Sequence, residues 1–402
     1  MTDHAQETTF MGIERSVTGK WWRERANDER LATTIAQRFG VPEIVGRVMA
    51  ARGIDLDDAE SFLSPTLRDL MPDPSSLQDM DKAAARIADA IEKGEKLAVF
   101  GDYDVDGATS TALLKRFFRA LGADVPVHIP DRMTEGYGPN APALLALQRN
   151  GANLILTVDC GVTAYGPLQE AKDAGIEVIV VDHHAAEPEL PPAVAVVNPN
   201  RLDDESGLGH LCAAGVAFLL CVAMLRELRN RGWLEKAGVR APDLRNWLDL
   251  VALGTVCDVV PLRGLNRAFV TQGIKVMKHR TNIGMTSLAD VAGVNETPNA
   301  YHLGYVLGPR VNAGGRVGES FLGTTLLSGE DPAEAQDIAR KLDEYNRERK
   351  AIEDIVLDQA ISAVEGKSKV GSMVLVGGDD WHPGVIGIVA SRLKDRYHVP
   401  SL

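Results

Sequence analysis

Four short, continuous apolar segments recur between residues 96 and 199, and helical patterns precede the first segment and separate the first three. The segments read KLAVFG, ANLILTVD, IEVIVVD and AVAVVNP. A strand that is apolar on both faces has to be covered on both faces, which is typical of a parallel sheet flanked by helices. The sequence therefore predicts an α/β fold with a parallel, doubly wound sheet.

The last part of the chain has a longer helical pattern. Apolar residues recur at steps of three and four from about Pro332 to Val364, with Asp331 as the predicted N-cap, which indicates one long helix. A further strand–helix unit, SMVLVGG followed by WHPGVIGIVASR, begins after it. We therefore expect four parts: a helical N-terminal extension at 1–80, a main domain at 81–330, a connecting helix at 331–365 and the start of a second α/β domain at 366–402.

Length and composition fit a globular protein of several domains. The 402 residues are 45% hydrophobic and 25% charged, no apolar run approaches the ~18 residues of a membrane-spanning helix, and the N-terminus lacks the layout of a signal peptide. The four cysteines form no C-x-x-C pair, so neither a zinc site nor a disulfide framework is indicated. We therefore expect a cytoplasmic protein. Its net charge of −13 argues against broad affinity for a polyanion, so a nucleic acid would have to be bound at a local site.

Acidic and histidine side chains follow three of the predicted strands. Ligands of open α/β sheets bind at the carboxyl ends of the strands, so these groups are expected to meet at one edge. Carboxylates with one imidazole favour Mn²⁺ or Mg²⁺ over zinc, and a shared carboxylate would hold two ions. The groups are Asp102, Asp104 and Asp106 after the first strand, Asp159 after the second, and Asp182, His183 and His184 after the third.

Asp258 is a further candidate ligand, because it lies in the otherwise apolar stretch LGTVCDVVPL, where an unpaired charge is costly. The alternative is a buried Asp that caps the next turn. Taken singly, an Asp at a strand end is commonly a turn former or helix cap, and a His pair is commonly structural. A calcium loop fits only in its first half, since Leu113 stands where its Glu is needed. Neither a P-loop nor a dinucleotide fingerprint is found.

Eight motifs occur in the order seen in the DHH phosphoesterase superfamily. They are GDYDVDG, VDCG, DHH, VVNPNR, GHLCAAGVAF, ALGTVCDVVPL, LGPRVNAGGR and WHPGVIGIVASR. Within the superfamily, the chain most resembles the RecJ family of single-strand-specific 5′→3′ DNA exonucleases, from about Trp22 to the last residue. The resemblance implies a DHH catalytic domain joined by the long helix to a DHHA1 domain that is truncated here, with the family's OB-fold absent.

The resemblance also implies a centre of two Mn²⁺ or Mg²⁺ ions, bridged by Asp159. Asp102 and His184 would act beside Asp159 in catalysis, with His184 at the scissile phosphate. Phe100 stands where related phosphatases have a ligating histidine, which implies either a weaker first metal site or one completed by water or Asp102. The ligands implied by motif position are Asp104 and Asp159 for the first ion, and Asp106, Asp159, His183 and Asp258 for the second.

Two glycine-containing motifs are expected to bind the substrate. Arginine suits bidentate phosphate contacts, glycine lets the backbone approach a phosphate, and helix N-terminal amides bind anions. The alternative for each arginine is a surface ion pair. The expected contacts are Arg310, Asn312 and Arg316 in LGPRVNAGGR, and His382, Ser391 and Arg392 in WHPGVIGIVASR.

The resemblance implies hydrolysis of single-stranded DNA from its 5′ end to 5′-mononucleotides, in DNA repair and recombination. The enzyme is expected to act as a monomer, with a single-strand-binding protein and a helicase as partners. A DHH-family phosphodiesterase of short RNA or cyclic dinucleotides is the nearest alternative, although its typical glycine-glycine-glycine-His ending is not found. A catalytically inactive DNA-binding scaffold of the same fold is the other alternative, and it would not need the clustered charges.

Overall fold

The computed structural model of the chain describes residue 9 and residues 12–23, 28–366 and 371–402. The other positions belong to the predicted N-terminal extension and to the start of the predicted second domain. For those positions, the predictions lie outside the described residues.

A parallel sheet of five strands organises the chain between residues 97 and 197. The strands are β1 (Leu97–Phe100), β2 (Val127–His128), β3 (Leu154–Val158), β4 (Glu177–Val181) and β5 (Ala195–Val197). In space they lie in the order β2-β1-β3-β4-β5, and each neighbouring pair is parallel. The predicted α/β fold with a doubly wound sheet is therefore confirmed.

Four of the strands coincide with the apolar segments. Every residue of β1, β3 and β5 is buried, and β4 exposes only Glu177 at its start. The sequence does not predict β2, because two half-buried residues at the edge of the sheet form no apolar run. The order of the strands reverses between β1 and β3, and this switch point is where open α/β sheets bind their ligands.

Helices make up most of the remaining described chain. They are α1 (Glu29–Phe39), α2 (Glu43–Ala51), α3 (Ala59–Leu63), α4 (Leu67–Leu70), α5 (Met80–Lys93), α6 (Val105–Ala120), α7 (Ala141–Arg149), α8 (Tyr165–Asp173), α9 (Ala213–Asn230), α10 (Trp233–Ala237), α11 (Leu248–Cys257), α12 (Gly264–Met277), α13 (Ile283–Val291), α14 (Gly308–Val317), α15 (Leu322–Ser328), α16 (Pro332–Glu365) and α17 (Pro383–Tyr397). Two 3₁₀ turns (Pro74–Ser76 and Leu244–Trp247) and one π-helix (His302–Leu307) complete the set.

The chain divides into two compact units, residues 1–71 with 263–268 and residues 72–262 with 269–402. In the first unit, helices α1 to α3 enclose a small core that includes Ile35, Met49 and Ala59. The second unit contains the sheet. The domain boundaries expected from the sequence stay predictions.

In the second unit, α9 is apolar around most of its circumference and is correspondingly buried. It packs on α6 and α11, and the ring of Phe218 meets that of Phe269 edge to face at 5.2 Å. This packing fixes the N-terminal ends of α6 and α9, which are needed at the site described below.

The long C-terminal helix predicted from the sequence is confirmed. Asp331 accepts hydrogen bonds from the amides of Ala333 and Glu334, and Pro332 occupies the first turn. The 34 residues of α16 give a length of about 51 Å. Its last turns pack on α17 through apolar side chains, namely Val356, Ala360, Val364, Val385, Val389 and Leu393.

The strand predicted at SMVLVGG is wrong as a full strand. Val374 forms a single parallel bridge with Ser401, supported by one further bond from the Val376 amide to the Leu402 carbonyl. The pairing between this segment and residues 400–402 therefore consists of three backbone hydrogen bonds. Among the described helices, none combines the length and the apolar character needed to cross a membrane.

Candidate metal centre

The acidic and histidine groups predicted at the strand ends meet at the switch point of the sheet. Asp102 lies in the loop after β1, Asp159 directly follows β3, and Asp182 directly follows β4. Their side chains are almost completely buried, as is that of Asp106 in the first turn of α6. The topology therefore delivers carboxylates from three strands to one place.

Three overlapping groups of ligand atoms are close enough to hold metal ions. In each group, all atoms lie within 4.8 Å of one another. The groups are Asp102, Asp104 and Asp159; Asp106, His183 and Asp258; and Asp159, His183 and His184. Asp159 and His183 each belong to two groups, which is the arrangement expected of neighbouring ions with a shared ligand.

The imidazole of His183 lies among three carboxylates. Its Nε2 is 3.2 Å from Oδ1 of Asp159 and 3.8 Å from Oδ2 of Asp106, and its Nδ1 is 3.7 Å from Oδ2 of Asp258. Burial, and then the neighbouring His184, lowers the pKa of His183, so the ring is neutral near pH 7 and has a lone pair to offer.

Several of these atoms lack any hydrogen-bond partner. Oδ1 of Asp102, Oδ1 of Asp159, Nε2 of His183 and Oδ2 of Asp258 are buried, and none of them forms a hydrogen bond with the described residues. A buried polar atom without a partner is costly, and divalent cations satisfy such carboxylate oxygens. The donor set of carboxylate oxygens and one imidazole therefore fits a pair of Mn²⁺ or Mg²⁺ ions.

The pKa values of the carboxylates also indicate a site for cations. Burial raises the pKa of Asp102 to about 7, with a further contribution from the charge of Asp104, and burial with Asp104 raises the pKa of Asp258 to about 6. The pKa values of Asp106 and Asp159 are also raised, first by burial and then by neighbouring carboxylates. Bound cations would oppose this rise in pKa, because positive charge favours the ionised carboxylates.

A left-handed backbone positions Asp159. Its φ is 60°, a conformation that Asp and Asn adopt more readily than other non-glycine residues. The amide of Asp159 donates to the carbonyl of Val181 at 3.0 Å, and its own carbonyl accepts from the hydroxyl of Tyr137 at 3.0 Å. Gly161 follows with φ 112°, and a Cβ there would lie 2.6 Å from Oγ1 of Thr157. The glycine of the VDCG motif is therefore needed for this tight turn.

The N-terminus of α9 holds Asp106. Its carboxylate accepts hydrogen bonds from the amides of Ala213 at 2.5 Å and Ala214 at 3.0 Å. Exposed amides at a helix N-terminus stabilise negative charge. Gly254 of α11 lies against the same carboxylate, and a Cβ there would be 2.7 Å from Oδ1 of Asp106. These contacts explain the positions of the GHLCAAG and ALGTVCD motifs around the site.

Asp104 and Asp258 lie at helix ends. Asp104 is the N-cap of α6 and accepts from the amide of Gly107 at 3.0 Å. Asp258 follows the last residue of α11, and its Oδ2 makes no capping bond within the described chain. The geometry therefore favours a ligand role for Asp258 over the alternative of a capping Asp, although both roles stay predictions.

The sequence places Asp182 among the groups at the strand ends but does not predict its role. Its Oδ1 accepts from the amides of His183 and His184, at 2.8 and 3.2 Å, and from Nδ1 of His184 at 2.7 Å. Its Oδ2 accepts from the amide of Val162 at 3.0 Å. Burial alone would raise the pKa of Asp182, but the hydrogen bond from His184 and the backbone amides lower it. Asp182 thus fixes the backbone and one ring of the DHH motif.

Two asparagines of the VVNPN motif support the same loop. Asn198 is fully buried and donates to the carbonyl of His184 at 2.9 Å, while its side-chain oxygen accepts from the amide of Asn200 at 2.7 Å. Asn200 donates to the carbonyl of His183. The sequence signal for both is a pair of polar residues directly after a buried strand.

We expect Asp182→Asn to weaken Mn²⁺ binding or activity by about 10–100-fold, since loss of a residue that orients a ligand typically has this effect. The amide would replace an acceptor by a donor and leave Nδ1 of His184 without its charged partner. The hydrogen bond from Asp182 is also the largest cause of the raised pKa of His184. An NMR titration should therefore show this pKa falling in the variant, and an unchanged pKa would contradict the orienting role.

Phe100 is completely buried and packs its ring against that of His128, with the centroids 5.1 Å apart. A phenyl ring has no ligand atom, so this position contributes none to the centre. Asp102 instead lies in one group with Asp104 and Asp159, which agrees with the alternative that assigns Asp102 to the first ion.

Arg132 is a cationic side chain near this group that the sequence analysis does not identify. Its guanidinium lies 5.4 Å from the ring centroid of Tyr103.

The predicted substrate residues of the LGPRVNAGGR motif lie on α14. Asn312 accepts from the amide of Val105, in the first turn of α6, at 3.1 Å. Arg310 forms an ion pair with Asp343 at 2.9 Å, and both side chains are mostly buried, whereas the alternative is a surface ion pair. Arg316 donates to the carbonyl of Gly384 at 3.1 Å, and burial lowers its pKa. The structure thus brings Asn312 to the end of the loop after β1 (residues 101–104, here called the metal loop), and the phosphate role of all three stays a prediction.

The residues of the second motif lie along α17. His382 is the N-cap and accepts from the amide of Gly384 at 3.0 Å. Ser391 is exposed and lies eight residues beyond Pro383, about 12 Å along the helix axis from the N-terminal amides. Arg392 pairs with the buried Glu353 at 2.5 Å, as the alternative expects. Their substrate roles also stay predictions.

Comparison with known proteins agrees with this geometry. The model of the DHH family, N-terminal domain, matches residues 96–255. The chain is 35% identical over 384 residues to the single-stranded-DNA-specific exonuclease RecJ of Bacillus subtilis, covering 95% of this chain and 47% of that protein. It is 38% identical over 372 residues to RecJ of Salmonella typhimurium, covering 90% and 63% respectively. The chain thus spans about half to three fifths of the lengths of these relatives.

A solved structure extends the comparison to three dimensions. The crystal structure of exonuclease RecJ bound to manganese matches with a TM-score of 0.70 and 36% sequence identity, over 82% of this chain and 80% of that one. The chain therefore belongs to the RecJ family of the DHH phosphoesterases.

Proposed function

We propose that this chain is a metal-dependent exonuclease that hydrolyses single-stranded DNA from the 5′ end to 5′-mononucleotides. The observation that carries the proposal is the set of buried ligand atoms around Asp159 and His183 at the switch point of the sheet, several of which form no hydrogen bond with the described residues. The substrate class rests on the relatives, which are described as single-stranded-DNA-specific exonucleases. The polarity and the products rest on the ordered motifs.

Two divalent ions, when bound, would supply the positive charge that stabilises the attacking and leaving oxygens in phosphoryl transfer. The residues that would hold them are Asp104, Asp106, Asp159, His183 and Asp258, with Asp102 beside the first ion.

His184 is suited to contact the substrate phosphate. Its side chain is 47% exposed, and the hydrogen bond to Asp182 raises its pKa, so the ring carries positive charge to higher pH than an ordinary histidine. Because Nδ1 is bonded to Asp182, Nε2 is available to donate a hydrogen bond or a proton to a phosphate oxygen. Tyr137 meets the same ring edge to face, with the centroids 5.8 Å apart, and limits its orientations.

The proposal includes the wider biology expected of the family. The chain would act in DNA repair and recombination, in the cytoplasm and as a monomer, with a single-strand-binding protein and a helicase as partners. Asn312 and Arg316, which lie on the helix that contacts the metal loop, are the proposed contacts for the sugar-phosphate backbone.

The test is a nuclease assay with Mn²⁺ on the same DNA sequence as a single strand and as a blunt duplex, each labelled at either end. We expect the single strand to be degraded at least about tenfold faster than the duplex, with a 5′ label released at once as a mononucleotide. Equal cleavage of the two DNAs, or early release of a 3′ label, would contradict the proposal. Faster cleavage of RNAs of two to five nucleotides would favour the short-RNA alternative.

A further inference from the structure

Two exposed tyrosines lie on the helix that contacts the metal loop through Asn312. Tyr301 and Tyr305 have 62% and 75% of their surface exposed, and their rings stack on each other with centroids 5.3 Å apart and an interplanar angle of 27°. Neither hydroxyl makes a hydrogen bond within the described part of the chain. The ring of Tyr301 also meets that of His302 edge to face, with the centroids 5.9 Å apart, whereas the fold uses neither hydroxyl.

The tyrosines are presented by an unusual helical segment. Residues 300–317 form one continuous helix, whose portion His302–Leu307 is the one π-helical stretch among the described residues. The wider turn of a π-helix often occurs at functional sites. His302, Leu303 and Leu307 are buried, so the segment has one face in the core and presents the two tyrosines to solvent.

The buried face of this segment packs on the end of α11. Gly304 approaches Val256, with its Cβ position 3.2 Å from Cγ1, and the carbonyl of Leu303 accepts from the thiol of Cys257 at 3.4 Å. The next residue of the chain is Asp258, a member of the metal groups. The tyrosine pair is therefore attached to the same helix end that carries a proposed ligand.

The C-terminal half of the same continuous helix contacts the metal loop. Asn312 accepts from the amide of Val105, and a Cβ at Gly315 would lie 2.9 Å from the carbonyl of Tyr103. Tyr305 and Asn312 are seven residues apart, about 10 Å along the axis. Stacked bases are spaced by about 3.4 Å along a strand, so this distance corresponds to about three nucleotides.

We propose that Tyr301 and Tyr305 form a stacking platform for bases of the single strand, about two or three nucleotides from the cleaved bond. The inference rests on the proposed function and adds a binding site for the bases, whereas the metal centre acts on the backbone. A ring face accepts every base, so the platform holds single strands without reading their sequence. Paired bases stack on their own neighbours in a duplex, so the platform also favours unpaired strands.

The first test measures binding without hydrolysis. A fluorescently labelled oligothymidylate is titrated with the chain in EDTA, using wild type, Tyr301→Ala/Tyr305→Ala and the matched control Tyr301→Phe/Tyr305→Phe. We expect the Ala pair to raise Kd about fivefold or more, and the Phe pair to stay within about twofold of wild type, because stacking needs the ring and not the hydroxyl. An unchanged Kd in the Ala pair, or equal losses in both pairs, would overturn the proposal.

The second test locates the contacted bases. Oligonucleotides with one abasic position are compared across the first six nucleotides from the 5′ end, with wild type and with the Ala pair. We expect an abasic position near the third nucleotide to weaken binding to wild type and to have no further effect on the Ala pair. Additive losses at every position would show that the tyrosines do not contact the bases.

The tests also separate this proposal from the nuclease activity. If Mn²⁺ supports hydrolysis and the Ala pair changes neither KM nor Kd, the platform is wrong and the exonuclease stands. If the Ala pair weakens binding as expected but wild type hydrolyses no DNA, the platform stands and the proposed function is wrong. With both correct, the Ala pair should raise KM and leave kcat unchanged.

Discussion

Replacing Asp159 by Asn is expected to lower the rate of single-strand hydrolysis by about three orders of magnitude. Asp159 belongs to two of the three groups of ligand atoms, so its charge would serve both ions. Stabilisation of transition-state charge by metal ions is worth several kcal/mol, and each 1.36 kcal/mol corresponds to about tenfold in rate. The measurement is kcat/KM on a labelled single strand at saturating Mn²⁺.

Asn is the matched replacement at this position for two reasons. It has nearly the shape of Asp, and it tolerates the left-handed backbone at φ 60°, so the turn after β3 should persist. Asp124→Asn is the control, because Asp124 is an exposed carboxylate after α6 and should be replaced without effect. Retention of more than about a tenth of the activity in Asp159→Asn would contradict the central role of this carboxylate.

Removing the charge of Asp102 is expected to stabilise the metal-free protein at neutral pH. The folded-state pKa of Asp102 is about 7, mainly because of burial, and the unfolded value is near 4. Between these values the folded chain binds more protons than the unfolded chain, so this group makes stability fall as the pH rises. The penalty is absent below about pH 4 and complete above about pH 7, where it reaches a few kcal/mol.

The experiment compares Asp102→Asn with wild type in EDTA by urea unfolding at pH 4.5, 6 and 8. We expect the gain in the free energy of unfolding to grow with pH across this range. Added Mn²⁺ should stabilise wild type at pH 8 and remove most of the advantage of the variant, because a bound cation neutralises the same charge. A gain that is equal at all three pH values would contradict burial of an ionised carboxylate as the cause.

The sequence predicts the sheet and the identity of the metal groups for a simple physical reason. Apolar strands have to be buried, and parallel strands deliver the residues that follow them to one edge, so the positions of Asp102, Asp159 and His183 follow from the pattern alone. The strand β2 and the role of Asp182 do not follow. β2 has only two half-buried residues, and Asp182 acts through hydrogen bonds to its own loop that no spacing reveals.

The ion-pair partners of two arginines could not be predicted from the sequence. Arg310 and Arg392 lie in motifs expected to contact phosphate, yet their guanidinium groups pair with Asp343 and Glu353 of α16. Those partners are 33 and 39 residues away in the chain and become neighbours only through packing against the long helix. A local motif identifies a cationic side chain but not the carboxylate that the fold places beside it.

The metal groups draw on residues that are far apart in the chain, from Asp102 to Asp258. Closing such long loops is entropically costly, so contacts of this kind form late in folding. The complete centre requires β1, β3 and β4 to be paired and α11 to be docked on α6, and the transition state for folding should therefore precede it. Ions that bind only the finished arrangement would slow unfolding and leave the folding rate nearly unchanged. The metals would thus determine how long a folded molecule survives, in addition to their part in the chemistry.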